Sequence, residues 1–117
     1  MASLMPMLQV PDIRTTVAWY TRIGFAVVDT AQDGGEMTWA MVAYGDGRVM
    51  FNCGGHASDA PRRDADLYIE VGDVDAVFAA LPAGIVVQEA LHDTFYGMRE
   101  CIVRDNNGFW ITFGQRL

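Results

Sequence analysis

A chain of 117 residues that is 51% apolar has the length for one domain around one hydrophobic core, and it excludes an extended disordered chain. A net charge of −7 argues against a nucleic-acid partner, because phosphate binding needs a basic face. No apolar run reaches the about 18 residues of a membrane span, Met1 to Pro6 shows no secretory pattern, and Cys53 and Cys101 fit no CxxC or disulfide framework; the expectation is a cytoplasmic protein, away from membranes, with both thiols reduced and partly buried.

Met5 to Val10 reads as a strand that stops at Pro11-Asp12. Asp12 suits a helix N-cap, since its carboxylate accepts from the free N–H groups of the first turn. Ile13, Val17, Tyr20 and Ile23 recur at helical spacing, and Gly24 closes the helix. Phe25 to Thr30 is apolar and β-branched, hence a strand, followed by a turn at Gln32-Asp33-Gly34-Gly35. Thr38 to Tyr44 and Arg48 to Cys53 are strands joined by the hairpin signal Gly45-Asp46-Gly47. The polar stretch from 55 to 64 is the expected linker. Beyond it, Asp66 to Val71 is a strand, Asp73 is an N-cap, and Val74, Val77, Phe78 and Leu81 form an apolar helix face ending at Pro82 and Gly84. Ile85 to Leu91, Gly97 to Val103 and Phe109 to Phe113 are strands, the last two joined by Asp105-Asn106-Asn107-Gly108.

The second half repeats the first at an offset of 61. Val10 maps to Val71, Asp12 to Asp73, Val17 to Phe78, Gly47 to Gly108 and Met50 to Ile111. The expected fold class is therefore α+β, one domain over 1–117 made of two βαβββ modules, 1–54 and 65–117, joined by the 55–64 linker. Each helix covers one face of a short sheet and leaves the other face to curl around a cavity, giving a cupped mixed sheet.

Two stretches carry a family resemblance. Leu8-Gln9-Val10-Pro11-Asp12-Ile13 with Ala18-Trp19-Tyr20-Thr21-Arg22-Ile23-Gly24-Phe25, and Tyr96-Gly97-Met98-Arg99-Glu100-Cys101-Ile102-Val103-Arg104-Asp105-Asn106-Asn107-Gly108, resemble the opening and closing motifs of the glyoxalase / bleomycin-resistance / dioxygenase superfamily, the vicinal oxygen chelate fold. Asn106 and Phe109 depart from the family's usual Pro and Asn at the final turn. Metal-dependent members hold an ion with four His or Glu residues. The resemblance carries those positions to Met5, Phe51, Asp66 and Thr112. A thioether, a phenyl ring, one carboxylate and one hydroxyl make a poor set for zinc, nickel, iron or manganese, so neither a metal nor another cofactor is expected. His56 and His92 read as exposed polar residues.

Alternation along strands places further residues on the inner face with these four: Met7, Tyr68 and Trp110, and from the middle strands Trp39, Met41 and Glu100. The expected ligand-binding set is thus Met5, Met7, Trp39, Met41, Phe51, Asp66, Tyr68, Glu100, Trp110 and Thr112, with no catalytic residue assigned. Such a wall suits a small aromatic or cationic ligand, with Arg62, Arg63 or Arg99 as alternative partners for Asp66; the competing reading is that the same side chains fill the cup or a dimer contact. The resemblance to bleomycin-resistance proteins implies a homodimer that sequesters an aromatic antibiotic or natural product. The alternative is a lyase, isomerase or dioxygenase of the same superfamily, working through an unseen metal or through acid–base groups such as Asp66, Glu70, Glu100 and His92 with Tyr96 nearby.

Overall fold

The computed structural model describes residues 3–53 and 65–117. The expected linker, with His56, Arg62 and Arg63, lies outside the described residues. The chain divides into two compact units, 1–58 and 59–117.

In the first unit, β1 (Met7–Val10) leads through Asp12 into α1 (Ile13–Arg22), followed by β2 (Ala26–Asp33), β3 (Glu36–Tyr44) and β4 (Gly47–Cys53). The Asp12 carboxylate accepts from the Thr15 backbone N–H at 3.1 Å, as an N-cap should. That bond holds its carboxyl below the usual carboxylate value. Ile13, Thr16, Val17 and Tyr20 form the buried stripe of α1. Gly24 follows the helix at φ +110, a conformation that other residues rarely adopt. The strands run in the order β1-β4-β3-β2, with β1 parallel to β4 and the other pairs antiparallel.

The second unit repeats this order. β5 (Asp66–Glu70), α2 (Val74–Ala79), β6 (Val86–Asp93), β7 (Met98–Arg104) and β8 (Trp110–Arg116) give a sheet ordered β5-β8-β7-β6, again with only the first pair parallel. Asp73 caps α2 through Ala76 N–H at 3.0 Å. This helix is shorter than its apolar pattern suggests. Pro82 disfavours the helical conformation at Leu81, so Leu81 lies past the end, and of the expected face only Val74 is fully buried.

Each core lies between helix and sheet. In unit 1, Tyr20 on α1 packs its ring against Phe25 and Phe51, with centroids 5.1 and 4.9 Å apart. Phe51 pairs across the sheet with Ala40, and Val49 with Val42. All four are buried and line the helix side. In unit 2 the corresponding set is Phe113, Cys101, Ile111 and Val103, all fully buried.

These registers correct the repeat in its last strand. β1 and β3 keep the offset of 61, Val42 mapping to Val103. β4 maps onto β8 at 62, because Val42 faces Val49 whereas Val103 faces Ile111. The cause is the turn. The first hairpin closes on Gly45 and Asp46 alone, while the second takes residues 105–109. There the Asp105 carboxylate accepts from the backbone N–H groups of Asn107 (2.7 Å) and Phe109 (2.9 Å). Phe51 therefore corresponds to Phe113, and Met50 to Thr112.

Two expectations change as a result. Phe51 belongs to the helix-side core and does not face the open side of the sheet. The cysteines are not both partly buried: Cys53 is exposed, whereas Cys101 is wholly buried on the helix side of β7, where burial pushes its thiol up to about 11. Among the described residues no helix is long and apolar enough to cross a membrane.

Candidate functional site

Side chains that do not face the helix line the opposite, open face of each sheet. Directly paired residues share a face, so the registers give these faces row by row. In unit 1 one row is Met7, Met50, Met41 and Asp29, and the next is Gln9, Asn52, Trp39 and Ala31. Three methionines side by side make a soft, polarizable surface that adapts to irregular apolar shapes. The Arg48 guanidinium lies 3.7 Å from the Met41 sulfur. Asn52 carries a buried amide oxygen without a hydrogen-bond partner among the described residues.

In unit 2 the rows are Asp66, Trp110, Arg104 and Val86; then Tyr68, Thr112, Ile102 and Glu89; then Glu70, Gly114, Glu100 and His92. Eight of the ten expected residues thus stand on open faces: Met7, Trp39 and Met41 in unit 1, and Asp66, Tyr68, Glu100, Trp110 and Thr112 in unit 2. Met5 precedes β1 and is half-buried. Phe51 is the one on the wrong side, for the reason given above.

Glu100 is the centre of the second face. It is only 3% exposed. Tyr68 donates to its Oε2 and Tyr96 to its Oε1, both at 2.7 Å. Tyr68 reaches it from β5 by lying across Gly114, where a Cβ would overlap the Tyr68 hydroxyl and ring. Gly114 is not in a left-handed conformation, so the glycine is there for space. Tyr96 arrives from the turn between β6 and β7. That turn is tied by Thr94 N–H to Met98 O (2.7 Å), by Met98 N–H to the Thr94 hydroxyl (3.1 Å) and by Gly97 at φ +82. Burial, then the bond to Glu100, raises the Tyr68 phenol well above its ordinary value. For Tyr96 the bond to Glu100 comes first and burial second. Both phenols therefore stay protonated and keep donating at neutral pH.

No cation sits on Glu100 among the described residues. Arg99 belongs to the helix side, where it pairs with Asp75 (3.1 Å) and Asp93 (3.0 Å), and this holds its guanidinium pKa up; it does not serve Asp66. Arg116 pairs with Glu70 at 2.7 Å, and His92 lies 3.4 Å from Glu89. Arg104 has a buried Nε without a hydrogen-bond partner among the described residues. A carboxylate buried on neutral donors alone still bears much of its desolvation cost.

The residues do not fit a divalent metal. With Met50 in place of Phe51, the carried-over positions offer two thioethers, one carboxylate and one hydroxyl. No three His, Cys, Asp or Glu residues come together among the described residues. A separate cleft between the start of α1 and the start of β3, lined by Asp12, Arg14, Met37 and Cys53, includes none of the expected site residues.

Sequence reasoning gave Gly114 no role, did not see Tyr96 as the second donor, and missed Asn52. A glycine inside a strand was the available signal for Gly114, since it marks a close approach.

Known structures share this architecture. TioX from Micromonospora sp. ML1 superposes with a TM-score of 0.78 at 24% identity, covering 99% of this chain and 97% of its own. A bleomycin resistance determinant encoded on the transposon Tn5 gives 0.76 at 20% identity, with 99% and 98% covered. A bleomycin-binding protein complexed with bleomycin gives 0.76 at 17%, with both chains fully covered. No curated protein sequence matches the chain. The family model described as Glyoxalase/Bleomycin resistance protein/Dioxygenase superfamily matches residues 3–113, and the chain belongs to that superfamily.

Proposed function

We propose that this protein binds and sequesters an aromatic small molecule bearing a positive charge, an antibiotic or a related natural product, without a metal cofactor. The observation that carries this reading is Glu100, a buried carboxylate held by two tyrosine hydroxyls and with no cation on it among the described residues, on a face that also presents Trp110 and Tyr68. The methionine row and Trp39 give unit 1 an adaptable apolar face of its own. Similarity to a bleomycin-binding protein agrees with it at the level of fold. The protein acts in the cytoplasm as a homodimer on this reading. In support, β2 and β6 each end their sheet and expose Val27, Val28, Val86 and Val87, and such edges invite a partner.

The test is a titration of tryptophan fluorescence with bleomycin and with a cationic intercalating antibiotic. Quenching should saturate near one ligand per chain. Glu100→Gln should weaken binding roughly 10- to 100-fold, the worth of about 1.5–3 kcal/mol for a hydrogen bond to a charged group. A flat titration of folded protein across such compounds overturns the proposal. Stoichiometric tightly held zinc, nickel, iron or manganese in the purified protein would favour a metal-dependent lyase, isomerase or dioxygenase instead.

A further inference from the structure

An unexplained polar atom on the open face of unit 1 is Asn52 Oδ1. It is buried and has no hydrogen-bond partner among the described residues. A polar group left unsatisfied away from water costs stability, and such groups are few in folded proteins. Asn52 sits in the fourth strand directly across from Trp39 on one side and Gln9 on the other, all on the open face. Paired side chains in a sheet stand close enough to contact one guest together. The half-buried indole offers a flat apolar surface, and the amide oxygen beside it asks for a donor. The arrangement recurs in unit 2. The other orphaned buried atom, Arg104 Nε, also belongs to a residue paired directly with an open-face tryptophan, Trp110. Two orphans, each beside a tryptophan on the face away from the helix, is a pattern that packing alone gives no reason for.

We infer that Asn52 and Trp39 form a subsite for a planar aromatic group carrying an N–H donor, the ring lying against the indole and the N–H donating to Asn52 Oδ1. This rests on the proposed aromatic-ligand reading and extends it to a specific group, on a residue distinct from Glu100. The subsite selects primary or secondary amides and aminoarenes over their fully alkylated forms, because an alkylated nitrogen leaves the oxygen buried and unpaired.

The test uses 2-naphthamide and N,N-dimethyl-2-naphthamide, followed by tryptophan fluorescence and by amide NMR shifts, on the full chain and on Asn52→Leu. The native protein should prefer 2-naphthamide by about 5-fold or more. Asn52→Leu should abolish the preference while leaving the dimethyl compound's affinity unchanged. The same variant should melt no lower than the native protein, since it removes an unsatisfied group. Equal binding of the two probes by native protein overturns the subsite and leaves aromatic binding standing. A clear fall in melting temperature in Asn52→Leu also overturns it, because the oxygen then has a partner within the protein. Failure of both probes to bind, with bleomycin still quenching, overturns the subsite alone; failure of every aromatic compound overturns the proposed function with it.

Discussion

Gly114→Ala probes the device that brings Tyr68 to Glu100. The new Cβ would overlap the Tyr68 hydroxyl and ring. The flanking backbone is strand on both sides, with Glu70 and Glu100 as neighbours, so Tyr68 must give way. If Tyr68 swings aside, Glu100 loses one of its two donors, a loss of about 1.5–3 kcal/mol for a hydrogen bond to a charged group. If it stays, overpacking costs about 1–3 kcal/mol. Either route gives a destabilisation near 2 kcal/mol. That is a fall of about 8 °C in melting temperature at roughly 4 °C per kcal/mol. Urea denaturation of a double-mutant cycle with Tyr68→Ala isolates the cause. Without the tyrosine ring, Gly114→Ala should be neutral or slightly stabilising, since glycine in a strand interior costs roughly 0.5–1 kcal/mol relative to alanine. An equal loss in both backgrounds would refute the reasoning, because Gly114 would then be required by something other than Tyr68.

Phe51→Ala should cost about 3–5 kcal/mol in urea denaturation, as deletion of a fully buried ring does, and Met50→Ala less than half of that, since Met50 stands on the other face. Asp12→Ala should cost about 1 kcal/mol at pH 7 through loss of the N-cap. The folded-state pKa of Asp12 is lowered, so its contribution is present above the ordinary value of 3.8 and lost as pH falls through the folded value; the two proteins' melting temperatures should converge in acid. A thiol reagent at pH 8 should modify one cysteine per chain quickly, the exposed Cys53, because Cys101 is buried and its thiol titrates only at about 11. Two equally fast thiols would contradict the placement of Cys101.

Local chemistry made most of the architecture legible. Asp12 and Asp73 are caps because a short carboxylate before an apolar helical pattern has free N–H groups to accept from, and both do so. The glycines at 24, 45 and 108 take positive φ, where their turns were expected. Strand alternation placed Met7, Trp39, Met41, Tyr68, Glu100, Trp110 and Thr112 on open faces, because a half-buried sheet repeats every two residues and the β1–β4–β3 and β5–β8–β7 pairings run without a register shift.

What failed is a quantity that alternation leaves undetermined, the length of a turn. A slip of one residue moves a whole strand to the other face. Aligning Gly47 with Gly108 treated the two hairpins as equal, yet a glycine marks a turn without fixing how many residues the turn holds. The Asp105 carboxylate binds two backbone N–H groups and props open a five-residue connection, whereas Gly45 and Asp46 close theirs in two. That single difference exchanged Phe51 for Met50. Hydrophobicity offered a warning. In the corrected register both halves place a phenylalanine under the helix, Phe51 and Phe113, and both are fully buried; the uncorrected offset would set Phe51 opposite a threonine. The Tyr68–Glu100–Tyr96 cluster lay beyond reach for a different reason. It joins residues 32 and 4 positions apart across three elements, and it needs a glycine on a fourth position to make room. Pairwise patterns along a chain register none of those conditions, so a buried acid shows its partners only once the strands are in register.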